Sequence, residues 1–143
     1  MTDMVGLVTV DDDVIRTDYA RDVIKKNMHF VVLRYVGDLQ QARRTFKRIC
    51  YRYELGETWF MQGSKSANDF YILSASFTPF PWSRYRKILF DKGIDEEFKK
   101  ECLERKCGYI NKREIRSRVY IVTPKRSRSD PTLRQALSAL LFK

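Results

Sequence analysis

Five positively charged side chains lie in one segment of this sequence, at spacings that a helix would direct outward. They are Arg43, Arg44, Lys47, Arg48 and Arg52. Apolar residues in the same segment recur at steps of three and four, which predicts an amphipathic helix over 39–53. These apolar positions are Leu39, Ala42, Phe46, Ile49 and Tyr53. The cations suit the phosphates of a polyanion, although a basic helix that only faces solvent has the same pattern.

The predicted helix divides into a part suited to bases and a part suited to phosphates. Its start carries Gln40, Gln41, Arg43 and Arg44. In a major groove, arginine pairs with guanine and glutamine with adenine. The later cations, Lys47, Arg48 and Arg52, suit phosphates. Tyr51 and Tyr53 could instead stack on unpaired bases, and core packing explains Tyr53 equally well.

A second basic cluster lies between residues 112 and 128. Its members are Lys112, Arg113, Arg116, Arg118, Lys125, Arg126 and Arg128. We predict that these side chains also contact phosphates. The run from Pro124 to Arg128 resembles a short nuclear-import signal, which would direct the protein to the nucleus of a eukaryotic host. The same run is also typical of a phosphate-binding arm or a plain linker.

The sequence does not favour catalysis. His29 is its only histidine, so a Ser-His-Asp or Cys-His site would have to use it. It adjoins a strand-like apolar run, where a structural role is the better interpretation. The metal site of a two-histidine replication nuclease needs a His-hydrophobe-His pair, which the sequence lacks. Asp11 to Asp13 could bind the magnesium of a nuclease, but a solvated acidic turn is preferred.

The sequence predicts no cofactor and no metal. Cys50, Cys102 and Cys107 are an odd, sparse set, which argues against a disulfide framework and for a reducing intracellular compartment. Their spacing does not match a zinc finger. Residues 63–66 lack the spacing of a phosphate-binding loop. No signal peptide or membrane-spanning apolar run is visible, so we expect no membrane association.

Composition favours one folded domain with an anionic partner. The chain has 143 residues, 43% of them hydrophobic, and a formal net charge of +10. By net charge alone, nucleic acid is the leading partner, followed by an anionic membrane surface and an acidic protein. We interpret residues 1–28 as an acidic N-terminal extension of this domain. Residues 124–143 would form a basic linker and a C-terminal helix.

Hydrophobic patterning predicts the order of the elements. Strands are expected over 5–10, 29–36, 58–62, 70–77 and 118–123, and helices over 18–27, 39–53, 81–90, 96–107 and 131–143. Residues 63–68 have hairpin chemistry, so the strands on either side should pair antiparallel. The core order is β-α-β-β-α-α-β. It favours an α+β fold, ferredoxin-like or dimeric-barrel-like, with about four antiparallel strands, helices on one face and an added C-terminal helix.

Residues 30–90 resemble the DNA-binding domain of the papillomavirus replication and transcription regulator. The similarity lies in a strand ending in Gly37-Asp38, then a helix with Arg43 and Phe46-Lys47-Arg48. Thr58-Trp59, Gly63, Lys65-Ser66-Ala67, and Trp82 two residues before Arg84 follow in the same order. The family has Lys-Cys where this chain has Gln40-Gln41. It also lacks counterparts of the first 28 residues and of the C-terminal helix.

The resemblance implies a viral regulator that binds duplex DNA as a homodimer. Arg43 then matches a base-contacting arginine, and Lys47 and Arg48 match basic residues at the end of the helix. We therefore expect a non-enzymatic DNA-binding protein of replication or transcription. Two alternatives remain open from the residues: an RNA-binding silencing suppressor or packaging factor, and a protein that docks an acidic partner through the same helix.

Overall fold

A computed structural model describes residues 8–11, 29–77, 80–121 and 131–142. Its strands are β1 (Val8–Asp11), β2 (His29–Val36), β3 (Glu57–Gly63), β4 (Asp69–Ser76), β5 (Gly108–Asn111) and β6 (Ile115–Ile121). Its helices are α1 (Leu39–Arg52), α2 (Trp82–Leu89), α3 (Glu96–Arg105) and α4 (Pro131–Phe142), with a 3₁₀ turn at Lys112–Glu114. The helix predicted over 18–27 lies outside the described residues.

Four strands form an antiparallel sheet in the order β2-β4-β3-β6. Strands β3 and β4 pair as the hairpin predicted around residues 63–68, with Phe60 opposite Ile72. Strand β2 pairs with the other side of β4, and β6 pairs with β3. The α+β class with an antiparallel sheet and a C-terminal helix is therefore confirmed.

Helix α1 packs on one face of the sheet through a narrow apolar stripe. Ala42, Phe46, Ile49 and Cys50 are its buried residues. The Phe46 ring meets Phe60 of β3 edge-on at 5.3 Å between centroids, and it meets Tyr35 of β2 at 6.2 Å. Such edge-to-face contacts add to the burial of the rings. The stripe fixes which side of α1 faces the sheet, and so which side faces solvent.

The opposite face of the sheet is covered by α3 and α4. Leu133, Ala136 and Leu137 of α4 are buried. Arg134 of the same helix lies 3.8 Å from the buried Glu57 carboxylate on β3. From α3, the Phe98 ring meets Tyr71 of β4 edge-on at 6.4 Å. The sequence analysis predicted helices on one face of the sheet and an added C-terminal helix. In the structure α1 packs on one face, and the C-terminal helix α4 packs on the other.

Helices α2 and α3 cover the edge of β2 that, in the described sheet, pairs with no other strand. The Tyr85 hydroxyl of α2 donates a 2.7 Å hydrogen bond to the carbonyl of Val32, and the amide of Asp95 donates at 3.0 Å to the carbonyl of Arg34. These carbonyls are two residues apart on one strand, so they point to the same side. The side-chain and backbone donors satisfy acceptors that an exposed strand edge would leave open.

Arg34 links three elements through a nearly buried ion-pair network. Its Nε lies 2.7 Å from Asp69 Oδ1 on β4, and its Nη1 lies 3.1 Å from Asp95 Oδ2 at the start of α3. Asp95 also caps α3, because its side chain accepts a hydrogen bond from the amide of Phe98. The network fixes the beginning of α3 against the sheet.

Three details differ from the pattern-based expectations. Strand β5 was not predicted; it pairs in parallel with β1, as a separate two-stranded sheet. Strand β6 begins at Ile115, three residues before the predicted start at 118. Leu39, predicted to belong to the apolar stripe, is 37% exposed, because it is the first residue of α1 and follows the exposed Val36.

The packing of α1 predicts unequal effects of two apolar truncations. Phe46→Ala should lower the free energy of unfolding by about 3–5 kcal/mol, because it removes a fully buried ring and leaves a cavity. Leu39→Ala, on the same helix, should cost less than about 1 kcal/mol. Urea denaturation of both variants measures the difference. Equal losses would contradict the assignment of Phe46 as the anchor and Leu39 as a surface residue.

Burial of two thiols predicts a loss of stability in alkaline solution. Desolvation raises the pKa of Cys50 and of Cys102 from 9.0 to about 11. Between these values an unfolded chain loses thiol protons that the folded chain keeps. The free energy of unfolding should therefore fall from pH 9 to 11, by up to about 1.4 kcal/mol per pH unit for each thiol. Below pH 9 the two thiols should contribute no pH dependence.

Denaturation of the native chain and of a Cys50→Ala, Cys102→Ala variant at pH 8, 9, 10 and 11 tests this expectation. Lysines and tyrosines also titrate in this range, so the comparison between the two proteins isolates the thiols. The variant should show the shallower decline. Identical slopes in the two proteins would contradict it.

Candidate nucleic-acid interface

The start of α1 is set by the turn that leads into it. Asp38 caps the helix, because its Oδ1 accepts a 2.8 Å hydrogen bond from the amide of Gln41. The amide of Gly37 donates at 2.8 Å to the carbonyl of Asn68. A side chain at position 37 would meet the Tyr35 ring, so glycine permits this close approach. The end of β2 and the β3–β4 turn therefore hold the first turn of α1 in place.

The predicted contact residues of α1 all lie on its exposed side. They are Gln40, Gln41, Arg43, Arg44, Lys47, Arg48 and Arg52. Opposite the buried stripe, helical spacing aligns Gln40, Arg44, Lys47 and Tyr51 at steps of three and four. We call these four residues the outer ridge. No acidic residue occurs between Leu39 and Tyr53.

Arg48 and Arg52 do not project freely from the helix. Arg48 Nη1 lies 2.8 Å from Oδ1 of Asp91, and Arg52 Nη1 lies 3.8 Å from Oδ2 of the same carboxylate. Arg48 Nη2 also donates at 2.8 Å to the carbonyl of Lys92. The Asp91 side chain is only 2% exposed, and its Oδ2 accepts a hydrogen bond from the Tyr53 hydroxyl at 3.2 Å. These two arginines therefore hold the segment between α2 and α3 against α1.

The outer ridge differs from Arg48 and Arg52 in its side-chain contacts. Among the residues that the structure describes, Gln40, Arg44 and Lys47 make no side-chain hydrogen bond or ion pair. Gln41 is engaged instead, because its Oε1 accepts a 3.2 Å hydrogen bond from the Tyr35 hydroxyl. On α1, Arg48 and Arg52 thus already have a carboxylate partner, whereas Arg44 and Lys47 have none among the described residues.

Part of the second basic cluster lies at the end of the sheet where α1 begins. The amide of Ser64, in the β3–β4 turn, donates at 2.6 Å to the carbonyl of Glu114, and its hydroxyl donates at 3.1 Å to that of Arg113. The same turn reaches α1 through Asn68. Lys112 and Arg113 are in the 3₁₀ turn, and Arg116 and Arg118 are on β6. Lys125, Arg126 and Arg128 lie outside the described residues.

Two cations that the sequence did not single out, Arg84 and Lys92, lie beside α1, and Lys87 lies close to Arg84 on α2. Arg84 Nη2 donates at 2.8 Å to the carbonyl of Tyr53, at the end of α1. Lys87, three residues after Arg84, falls on the same side of α2 and is exposed. Lys92 is exposed next to Arg48. The basic run from Arg84 to Lys87 was visible in the sequence, but only the fold places it beside α1.

A cavity of about 270 Å³ provides a second candidate site, on the face of the sheet opposite α1. Its lining includes Arg34, Lys65, Glu97, Glu101 and Glu114. The cations here are already paired: Arg34 with two aspartates, and Lys65 with Glu114 at 3.4 Å. An anionic ligand would have to displace these carboxylates, so the outer ridge is the better candidate for an anion.

Three further features concern catalysis, metals and membranes. His29 is partly buried at the start of β2, and desolvation lowers the pKa of its imidazole. In the described residues, no group of three or more histidine, cysteine, aspartate or glutamate side chains is placed to hold a metal ion. The helices described here are all too short or too polar to cross a bilayer.

Comparisons of the chain with protein-family models, with curated protein sequences and with solved structures found no match. Functional inference therefore depends on the geometry of α1 and its surroundings.

The contacts of Asp91 predict a structural role for this carboxylate. Asp91→Asn should lower the free energy of unfolding by about 1–3 kcal/mol, because it weakens the pairing with Arg48 and Arg52. Glu54→Gln is the matched control: it makes the same change of charge at an exposed position just after α1, and it should cost less than about 0.5 kcal/mol. Urea denaturation measures both. If the two variants lose equal stability, Asp91 does not hold α1 to the following segment.

Proposed function

We propose that this protein binds nucleic acid through Gln40, Arg44 and Lys47 of the outer ridge of α1, with duplex DNA as the favoured ligand. The observation that carries the proposal is that Arg44 and Lys47, two exposed cations on the side of α1 away from the core, have no partner among the described residues. Unpaired surface cations gain phosphate contacts without first breaking an ion pair. Binding also releases the counterions condensed on DNA, which drives association at low salt.

The shape of the helix supports a duplex ligand. With its side chains, an α-helix is about 10–12 Å wide, and the major groove of B-form DNA is about 12 Å wide. Gln40 and Arg44 lie in the first half of α1, where they would reach base edges, while Lys47 would contact a phosphate. Arg48 and Arg52, held by Asp91, would line the flank of the groove.

Regulation of replication or transcription is the activity that we propose for this binding. The support is the β-α-β-β-α order of residues 30–90, the region that resembles the papillomavirus regulator. We further propose a homodimer formed through the sheet. In the described part of the chain no strand pairs with β6 on the side away from β3, which leaves that edge for a second copy. Two α1 helices would then contact half-sites about one helical turn apart.

Charge-removing substitutions test the role of the outer ridge. Lys47→Gln should weaken binding to duplex DNA and reduce the slope of log affinity against log salt by about 0.9, the contribution of one phosphate contact. Lys100→Gln, on α3, is the matched control, since it removes the same charge from an exposed lysine on another helix. Lys100→Gln should change neither the affinity nor the salt slope by more than the small effect of lowering the net charge by one. Fluorescence anisotropy across a salt series measures both.

Each other outcome of this experiment has a definite meaning. Equal effects of Lys47→Gln and Lys100→Gln would mean that net charge, rather than the outer ridge, drives binding. Tighter binding to duplex RNA than to duplex DNA would replace DNA by RNA as the ligand. No binding to any nucleic acid at low salt would refute the proposal and favour an acidic protein partner.

A further inference from the structure

Tyr51 has an unusual environment for an aromatic residue. Its side chain is 71% exposed, more than any other large hydrophobic side chain in the described residues. Within those residues it forms no hydrogen bond, ring contact or cation–π contact. Nothing in the folding of the described chain accounts for a tyrosine at this position.

Two other aromatic residues near the surface, Tyr53 and Phe90, have visible roles. The Tyr53 ring lies under the guanidinium of Arg52 at 5.5 Å, and its hydroxyl donates to Asp91. Phe90 is 55% exposed, but Arg86 and Lys99 lie over its ring at 5.5 and 5.0 Å. Unlike these two residues, Tyr51 offers an aromatic face with no partner in the described structure.

The position of Tyr51 relates it directly to the unpaired cations. It is the last residue of the outer ridge, four residues after Lys47 and seven after Arg44. At 1.5 Å per residue, it lies about 6 Å along the helix axis from Lys47 and about 10 Å from Arg44. Successive phosphates of one DNA strand advance by 3.4 Å along the duplex axis. A strand that reaches Lys47 with one phosphate would bring a base to Tyr51 within about two nucleotides.

An aromatic ring beside cations matches the chemistry of unpaired nucleic acid. The cations attract the backbone, and the ring offers a face for stacking to any base. A base inside a duplex is already stacked on both sides, so it cannot use Tyr51. An acidic peptide would use the cations but would not require the aromatic face.

We infer that Tyr51 stacks on an unpaired base, so that the ligand of this protein is a junction between a paired segment and a single-stranded segment. This inference rests on the proposed binding of nucleic acid through the outer ridge. Lys47 contacts the backbone of the paired segment, Arg44 reaches its base edges, and Tyr51 receives the first base beyond it. An unpaired tail of either DNA or RNA could supply the base that stacks on Tyr51.

The experiment compares a blunt DNA duplex with the same duplex carrying a five-nucleotide unpaired tail of DNA or of RNA. The native chain, Tyr51→Leu, Tyr51→Phe and Lys47→Gln are measured by anisotropy at fixed salt. The native chain should bind at least one tailed duplex roughly 5- to 150-fold more tightly than the blunt one, the range expected for stacking of one base. The tail that gives the larger increase in affinity, DNA or RNA, identifies whether the protein prefers deoxyribose or ribose in the unpaired segment.

The variants separate stacking from phosphate binding. Tyr51→Leu should lose the gain from the tail while keeping the affinity for the blunt duplex, and Tyr51→Phe should keep both. Lys47→Gln should weaken binding to blunt and tailed duplexes alike. Because Tyr51 is so exposed, its variants should unfold at the same urea concentration as the native chain, which excludes misfolding as the cause.

Three results would overturn the inference while leaving the proposed function intact. They are equal affinity of the native chain for blunt and tailed duplexes, retention of the gain from the tail by Tyr51→Leu, and loss of that gain in Tyr51→Phe. Failure of the native chain to bind any of these ligands would instead refute the proposed function, and this inference with it.

Discussion

The packing of Phe46 between Tyr35 and Phe60 is the interaction on which the surface of this protein depends. It fixes the rotation of α1 about its own axis, because the ring is fully buried and meets two strands edge-on. Phe60 in turn stacks on Phe70 of the neighbouring strand, with 5.3 Å between the ring centroids. Aromatic contact thus continues from α1 into the middle of the sheet. Any rotation of α1 would break this contact and would also turn the outer ridge toward or away from the core.

Asp91 adds a second constraint, which divides the charges of α1 into two groups. A carboxylate that is 2% exposed is costly to bury without partners; Arg48 and Arg52 form ion pairs with it, and its Oδ2 accepts a hydrogen bond from Tyr53. Arg48, which also donates to the carbonyl of Lys92, is thereby held in place before any ligand binds. Arg44 and Lys47, on the far side of the helix from the core, have no such partner among the described residues. One helix thus carries both positioned and unpaired cations.

The sequence predicted the elements whose signals are local. The apolar stripe and the Asp38 cap were sufficient to predict α1, and the polar turn at 63–68 was sufficient to predict the β3–β4 hairpin. Strand β5 escaped prediction because four residues show little periodicity and its partner β1 is about 100 residues earlier in the chain. Arg34 looked like an interruption of an apolar strand. Its carboxylate partners are 35 and 61 residues away, so only the fold reveals them.

The same distinction between local and distant signals applies to the candidate site. The exposed side of α1 follows from helical spacing, so the sequence identified its cations correctly as surface residues. It assigned Arg48 and Arg52 to phosphate because nothing nearby in the chain opposes them. Their partner lies 43 residues beyond Arg48, in the segment that follows α2. For a similar reason, the spacing alone could not place Arg84 beside the end of α1.

The distribution of ion pairs shows where the positive net charge of the chain is left unbalanced. On α3, Lys99 pairs with Glu96 at 2.8 Å and Arg105 with Glu101 at 2.7 Å, so the field of these cations is largely cancelled nearby. The segment from Leu39 to Tyr53 has no acidic residue of its own. In the described structure, the Asp91 carboxylate serves both Arg48 and Arg52, and Arg44 and Lys47 have no carboxylate partner. This unbalanced positive charge lies on the same helix as Tyr51, the most exposed large hydrophobic side chain among the described residues.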